Sequence, residues 1–318
     1  MPLSGPLARA APLLAGVLLL AGLGGCPQLL DDSFEVPAEL PEVTLDGSRD
    51  PPRAGLDAGG SVSGVDAGEP PELPNAPGGL GSLLAHRYEF EGSGNTVRDS
   101  VGTAHGTSMG AALDGSGALY LPGQDDQYVA LPSGLLSGLE SVSIECWINW
   151  PGSSSSSWGG DEDTWQNLFT FGTSDEGAGQ RGNGTRYLYL TPQSANAYGD
   201  NLRAGYSLTG FNTESYVGSD RPLPPSDDDA WGTQVVYVID GVRNELSIFV
   251  NGQPEATATS SQEIDLSAIP EVNNWLGRSQ FEVSAPFEGE LLDVRIYRTA
   301  LTDAQVELSF DLGADAEL

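Results

Sequence analysis

The sequence predicts an all-β domain, a sandwich or a barrel, that follows an export signal and a linker. After residue 83, short stretches of alternating apolar and polar residues recur every ten to fifteen positions, separated by Gly, Pro, Asn and Asp. Alternation with a period of two indicates strands, and no long helical periodicity occurs. Many short strands with turn residues between them are typical of sandwiches and barrels.

Residues 1–26 have the features of an export signal. Arg9 and the terminal amine are positive, and the uncharged stretch 10–23 is rich in Leu and Ala but short for a membrane span. The ending LGGC, with Cys26 last, resembles a bacterial lipobox, in which the cysteine is acylated and becomes the mature N-terminus. We therefore predict lipidation of Cys26 and an exported protein that is lipid-anchored to the bacterial cell envelope, at the periplasmic or surface side of the outer membrane. An uncleaved membrane anchor is the alternative, since the uncharged run extends to Leu30.

Residues 27–82 are predicted to be a disordered acidic linker. They are rich in Pro, Gly, Asp and Glu and contain one aromatic residue, Phe34. So little apolar surface does not offset the entropy of ordering the chain. The folded domain, residues 83–318, would then stand on a tether of roughly 40 Å.

Eleven stretches after residue 83 are candidate strands. They are 84–90, 117–122, 127–131, 141–150, 167–172, 185–191, 201–208, 234–240, 245–250, 273–278 and 288–297. Asn251 and Gly252 lie between hairpin strands and favour a two-residue turn, because both residue types tolerate positive φ.

The last candidate strand has an apolar face followed by a helix signal. Leu292, Val294 and Ile296 alternate with polar or aromatic residues, which predicts one buried face. Thr302 and Gln305 have capping-box spacing, which predicts a short helix after the strand.

Seven stretches of the chain follow one another in a recognisable order. They are HRYEFEGSGNTVRDSVGTAHGT from His86, GALYLPGQDDQYVALP from Gly117, SVSIECWINW from Ser141, RYLYLTP from Arg186, a strand from Trp231, LSIFVNGQP from Leu246 and NNWLGRSQFEVSAPFEGELLDVRIYRTALTDAQVE from Asn273. Together they resemble the laminin-G-like, concanavalin A-like jelly-roll family over residues 83–311. The resemblance implies a two-sheet antiparallel jelly roll whose N-terminal strand near Tyr88 lies beside the C-terminal strand near Ile296.

The charge of the chain excludes some partners. The 318 residues carry a net charge of −32, and every basic residue other than histidine is arginine. Binding to nucleic acid or anionic lipid needs clustered positive charge, so neither is expected. The acidic balance is explained by solubility, and acidic loops could also hold Ca²⁺.

Two cysteines are present, and they receive different roles. Cys146 shares the apolar face of its strand with Ile144 and Ile148, so it is expected to be a small buried core residue. A disulfide with Cys26 is possible in an oxidising compartment but competes with lipidation.

No catalytic residues are predicted. Glucanases of this general fold carry a Glu-x-Asp-x-x-Glu strand, whose glutamates must lie about 5–5.5 Å apart. The nearest match, residues 263–268, lacks the last glutamate and lies in a loop-like stretch. His86 and His105 have no Cys or His partner at zinc spacing, and His105 is expected to bond backbone groups in its turn.

A structural Ca²⁺ is the cofactor that the family resemblance implies. The matching candidate ligands are Asp99, Asp126 and Asp293. Leu292 stands where the family has a further aspartate, and Ca²⁺ needs six to eight oxygens. The alternative is that Asp99 caps its turn and Asp293 pairs with Arg98 or Arg295.

The loops between Trp150 and Trp231 carry the candidate ligand-binding residues. Five aromatic residues lie there amid Gly, Ser and Asn: Trp158, Trp165, Tyr198, Phe211 and Tyr216. Aromatic faces stack on sugar rings, and binding residues are often carried by loops on a rigid scaffold. The alternative is that single aromatics fill the sandwich, as we expect for Trp147, Trp231 and Trp275.

These observations favour a non-enzymatic, membrane-tethered binding or adhesion module that recognises a glycan or a protein. Two alternatives stay open, a glycoside hydrolase with a rearranged carboxylate pair and a purely structural envelope protein. Fold alone does not decide among them.

Overall fold

A computed structural model describes residues 79–153, 165–226 and 232–318. They belong to one compact unit, Asp66–Leu318. The predicted signal segment with Cys26, most of the predicted linker, Trp158 and Trp231 lie outside the described residues. Within the described ranges, no helix is both long enough and apolar enough to cross a membrane.

The described residues form fifteen strands and two α-helices. In chain order the strands are β1 (Leu84–Tyr88), β2 (Thr96–Val97), β3 (Gly106–Met109), β4 (Leu119–Pro122), β5 (Tyr128–Leu131), β6 (Val142–Asn149), β7 (Phe169–Ser174), β8 (Gly184–Thr191), β9 (Arg203–Ser207), β10 (Ser215–Gly218), β11 (Thr233–Asp240), β12 (Glu245–Val250), β13 (Gln253–Thr259), β14 (Asn273–Leu276) and β15 (Glu288–Tyr297). The helices are α1 (Leu80–Leu83) and α2 (Asp303–Leu312). All eleven predicted strands are present to within two residues at either end.

The strands form two antiparallel sheets, which confirms the predicted two-sheet jelly roll. One sheet has the order β1-β15-β6-β11-β12-β13, with β4 also paired to β15. The other has the order β10-β9-β8-β7-β14-β5-β3-β2. Tyr88 lies opposite Val294, so the first and last strands are neighbours as predicted.

The hydrophobic core lies between the sheets. Ile144, Cys146 and Ile148 of β6 and Leu188 and Leu190 of β8 are fully buried in one cluster. Because successive side chains in a strand point to opposite faces, the residues between them face away from this core. Cys146 is a free, buried core cysteine, as predicted.

The hairpin and helix signals are also confirmed. Asn251 and Gly252 have φ values of 48° and 76° and join β12 to β13. The backbone N–H of Thr302 donates to Oε1 of Gln305 at 2.9 Å at the start of α2. Four strands were not predicted, because β2, β3 and β10 are short and the edge strand β13 contains Pro254.

The prediction that Leu292 lies on the buried apolar face of β15 is wrong. The pairing of β15 with β6 shifts register between Leu291 and Asp293. This bulge places Leu291 in the core, while Leu292 is only partly buried. One extra residue in a strand reverses the side-chain alternation, which a strict period of two does not anticipate.

The outer face of the same sheet is buried under α2. The ring of Trp147 stacks on Phe310 of the helix at 5.9 Å and 3°, so Trp147 is buried outside the space between the sheets. Beneath the helix, Arg295 contacts Glu145 at 3.3 Å and Asp293 at 2.8 Å. The helix therefore buries a layer of charged side chains, Glu145, Asp293 and Arg295, on this face of the sheet. From strand alternation alone, these side chains would be assigned to the solvent-exposed face.

Trp275 is likewise buried without entering the main core. Its neighbour Leu276 points into the core, and Trp275 packs on the opposite face against Tyr128, at 5.7 Å between ring centres. The guanidinium of Arg278 lies 4.5 Å from the Trp275 ring and covers it.

Candidate functional site

A cavity of about 280 Å³ opens on the outer face of the eight-stranded sheet, and we call it the aromatic pocket. Five aromatic residues line it: Trp165, Tyr189, Tyr198, Phe211 and Phe281. The polar lining residues are Asn167, Asn183, Glu214, Ser279 and Ser284, and Val283 completes the wall.

Three aromatic rings meet edge to face and form a corner of this pocket. The ring centre of Trp165 lies 5.5 Å from that of Tyr198 and 6.3 Å from that of Phe211. Tyr198 and Phe211 are 5.4 Å apart with an interplanar angle of 86°. Three of the five aromatic residues proposed from the sequence are therefore brought together, although they lie in separate loops.

The backbone holds each ring of the corner in place. Trp165 has a φ of 64°, an uncommon value for a bulky residue, and its N–H donates to the carbonyl of Gln193 at 2.9 Å. Tyr198 ends a 3₁₀ turn, and its backbone N–H donates to the carbonyl of Ala195 at 2.8 Å. Phe211 begins a second such turn, after Gly210. Backbone strain of the kind seen at Trp165 concentrates at functional sites.

Two pocket aromatics were missed from the sequence. Tyr189 alternates with the core residues Leu188 and Leu190, so its position on the outer face could have been read from the strand pattern. Phe281 lies in the loop before β15 and contacts Phe211 at 6.0 Å between ring centres. Nothing in its local sequence marks that contact.

A buried ion pair supports the pocket wall. Nη2 of Arg203 lies 2.9 Å from Oε1 of Glu214, with side chains that are 5% and 2% exposed. The hydroxyls of Tyr189 and Tyr187 donate to the same carboxylate at 2.9 and 2.7 Å. Since Glu214 also closes the turn that carries Phe211, the pair ties β8 and β9 to the aromatic corner.

The tyrosines of this cluster are held in the protonated form. Burial raises the pKa of Tyr189 well above its usual value, and the Glu214 carboxylate raises it further. The same two causes raise the pKa of Tyr187. Both phenols therefore serve as hydrogen-bond donors to the Glu214 carboxylate.

Tyr216 lies beside the aromatic pocket and does not line it. The residue is 52% exposed, and the guanidinium of Arg203 lies 3.5 Å from the centre of its ring. Arg203 also lies 5.6 Å from the Trp165 ring, so it links Tyr216 to the aromatic corner. Trp158, the fifth candidate, is outside the described residues.

The residues proposed for calcium do not form a metal cluster in the described part of the chain. The Asp99 carboxylate accepts hydrogen bonds from the backbone N–H groups of Gly102 and Ala104 at 2.8 and 3.0 Å and lies 2.7 Å from Nδ1 of His86. Burial raises the pKa of Asp99, but these donors outweigh it and hold the pKa below its usual value. Oxygens surrounded by N–H donors do not fit a cation, so Asp99 acts as the cap of its turn.

The other two calcium candidates are placed elsewhere. Asp126 is exposed, and Asp293 is buried between Arg295 at 2.8 Å and Arg87 at 2.9 Å. The pairing of Asp293 with Arg295 is as proposed, whereas Arg98 is exposed. Asp293 therefore has its negative charge matched by guanidinium groups.

Residues 263–268 and His105, for which no catalytic role was predicted, both lie in connections between strands. Residues 263–268 form a loop and a short 3₁₀ turn, in which the Asp265 carboxylate accepts from the N–H of Ser267. Nδ1 of His105 accepts from the backbone N–H of Asp99 at 3.1 Å, which confirms its structural role in the turn.

Comparison with known sequences identifies one family. The sequence profile described as the concanavalin A-like lectin/glucanases superfamily matches residues 122–307. No curated protein matches the chain in sequence.

Several solved structures resemble the chain at low identity. Domain 4 of AbnA, a GH43 extracellular arabinanase from Geobacillus stearothermophilus in complex with arabinotriose, is 20% identical, with 70% of this chain and 96% of that chain covered and a TM-score of 0.49. The Ruminococcus gnavus IT-sialidase CBM40 bound to alpha2,3 sialyllactose is 18% identical, with 54% and 82% covered and a TM-score of 0.40. Those sugars belong to those proteins, and at these TM-scores they say nothing about a ligand of this chain.

Proposed function

This chain belongs to the concanavalin A-like lectin/glucanases superfamily, and we propose that its jelly roll is a non-catalytic carbohydrate-binding domain that takes a neutral sugar in the aromatic pocket. The observation that carries the proposal is the aromatic corner of Trp165, Tyr198 and Phe211. Sugar rings present apolar C–H faces, and pockets lined by aromatic side chains with a few polar groups bind such ligands. Asn167 and Asn183 supply polar groups at the same cavity.

Charge favours a neutral sugar over an acidic one. None of the described residues that line the aromatic pocket is basic, and one of them, Glu214, is acidic. The guanidinium of Arg203 is already committed to Glu214 and Tyr189. With a net charge of −32, the chain as a whole also repels anions.

Binding without hydrolysis fits the carboxylate content of the pocket. Most glycoside hydrolases need two carboxyl groups that flank the bond to be cleaved. The described lining holds only Glu214, whose side chain is 2% exposed and paired with Arg203.

A sugar is also favoured over a protein as the ligand. Stable protein interfaces bury about 800 Å² on each partner and are centred on exposed anchors. Here the aromatic residues are grouped around one cavity of about 280 Å³, which suits a small ring.

Titration with neutral sugars tests this proposal. We expect the purified chain to bind at least one of the gluco-, galacto-, xylo- and arabino-oligosaccharide series in isothermal titration calorimetry. Tyr198→Ala removes one wall of the corner and is expected to lower affinity about tenfold, or about 1.4 kcal/mol. Tyr120→Ala is the matched control, because Tyr120 is 56% exposed on β4 of the other sheet. Equal affinities for the two variants would contradict the proposal.

We also propose that the domain is exported and anchored to the cell envelope through acylated Cys26. The lipobox-like LGGC ending and the acidic, proline-rich stretch after it support this proposal. Several acyl chains on one cysteine anchor far more stably than one, at about 0.8 kcal/mol per buried CH₂. Metabolic labelling with a palmitate analogue should tag the wild type, and equal labelling of Cys26→Ala would refute the anchor.

A further inference from the structure

A second cavity of about 280 Å³ adjoins the aromatic pocket, and we call it the polar cavity. Its lining includes the charged residues Asp125, Arg181, Glu282 and Glu288. Val283 and Ser284 line both cavities, so one short segment of chain separates them.

A buried arginine, Arg181, holds the separating segment, residues 281–284, through hydrogen bonds to its carbonyls. The Arg181 side chain is 7% exposed, and its Nη2 donates to the carbonyls of Phe281 and Glu282 at 2.8 and 2.9 Å and also to that of Ser284. Arg181 is itself paired with Asp125. Since Phe281 faces the aromatic pocket and Glu282 the polar cavity, Arg181 fixes the relative position of the two.

Backbone hydrogen bonds between Gly182 and the residues before Val283 also hold this segment in place. The N–H of Gly182 donates to the carbonyl of Gln280, and the N–H of Glu282 donates back to Gly182, both at 2.9 Å. The segment is therefore held at both ends, and its central residue Val283 projects outward with 90% of its surface exposed.

We propose that the two cavities are consecutive subsites for one neutral oligosaccharide, whose chain crosses over Val283. The proposal rests on the carbohydrate-binding function proposed above. Each cavity is slightly smaller than the range of about 300–1,000 Å³ typical of drug-sized ligands, so each holds about one sugar ring. The exposed isopropyl group of Val283 offers an apolar contact to the linkage between the rings.

The two subsites recognise different parts of a sugar. The aromatic pocket contacts ring faces, whereas Glu282 and Glu288 present exposed carboxylates at the polar cavity. Ionised carboxylates are acceptors only, and sugar hydroxyls donate to them in charge-assisted hydrogen bonds. Ligand length and ligand hydroxyls should therefore matter most at the polar cavity.

The test is the dependence of affinity on oligosaccharide length. Calorimetric titrations of the full chain use gluco-, galacto-, xylo- and arabino-oligosaccharides of one to four residues. For the series that binds, we expect affinity to rise at least tenfold from one residue to the longer members. The double variant Glu282→Gln, Glu288→Gln should lose about tenfold in affinity for the longer members and keep the affinity for the single sugar.

A charge-matched control separates subsite loss from a change in overall field. Asp303→Asn with Glu307→Gln removes two exposed charges from α2, on the other sheet, and should change no affinity. Affinity that is independent of length, or a Glu282, Glu288 effect that is equal at every length, overturns the second subsite while the aromatic pocket stands. Absence of binding in all four series overturns both proposals.

Discussion

The ion pair beneath the aromatic corner offers a sharp test of how the pocket is held. Glu214→Gln keeps the volume of the side chain and removes its charge. In the wild type, the carboxylate accepts from Arg203 at 2.9 Å and from two tyrosine hydroxyls. After the substitution, Arg203 keeps a positive charge that is 5% exposed and has lost its anionic partner.

The expected loss of stability is about 3 kcal/mol, at the low end of the range for breaking a buried ion pair, because the amide oxygen still accepts one hydrogen bond. For a domain of this size the melting temperature falls by roughly 2–4 °C per kcal/mol, so the shift should be about 6–12 °C. The turn that carries Phe211 also loses its anchor, so sugar affinity should fall about tenfold. Urea unfolding followed by tryptophan fluorescence gives the free energy of unfolding, and calorimetry gives the affinity.

A double-mutant cycle distinguishes the pair from a general packing effect. Arg203→Met in the Glu214→Gln background removes the unpartnered charge and should recover part of the lost stability. The reasoning is refuted if Glu214→Gln unfolds at the wild-type urea concentration. It is equally refuted if the two substitutions are additive in the free energy of unfolding.

Two further outcomes follow from the carboxylates near the first strand. Asp99→Asn should cost about 3 kcal/mol at pH 7, because several N–H groups lose a charged acceptor. The folded state holds the pKa of Asp99 below its usual value, so the ionised carboxylate stabilises the fold above the ordinary carboxyl pKa of about 3.9, and this contribution is lost as pH falls from there through the lowered pKa. In urea unfolding, the difference in stability between wild type and Asp99→Asn should therefore narrow steadily as pH is lowered below about 4, and a difference of constant size would contradict this account. Addition of millimolar Ca²⁺ in place of EDTA should leave the melting temperature unchanged, because the carboxylate oxygens of Asp99 and Asp293 already accept from N–H donors. A rise in melting temperature that Asp126→Asn abolishes would support a calcium site instead.

Local sequence signals predicted most of the fold because they reflect local physics. Alternation located the eleven main strands, and the turn at Asn251 and Gly252 followed from the positive φ that a tight hairpin needs. The short strands and the edge strand with Pro254 lacked such a signal, since their pairing depends on neighbours far away in the chain. The bulge that exchanged Leu291 for Leu292 in the core has the same origin.

The candidate site was predicted in part. Trp165, Tyr198 and Phe211 were identified as loop aromatics amid polar residues, but nothing in the sequence required them to meet. The outward position of Tyr189 could be predicted from strand alternation. Phe281, in contrast, is held at the pocket by Arg181, which lies about a hundred residues earlier in the chain and bonds the carbonyl of Phe281.

The sequence by itself determined the fold class, the order of the strands along the chain and the residue types available to a ligand. These depend on periodicity, turn chemistry and composition, which act over a few neighbouring residues. Only the tertiary structure decided that the aromatic loops form one corner, that Glu214 and Arg203 support it, and that Asp293 is matched by arginines under a helix. Such contacts join residues far apart in the chain, and their energies depend on burial that no local pattern encodes.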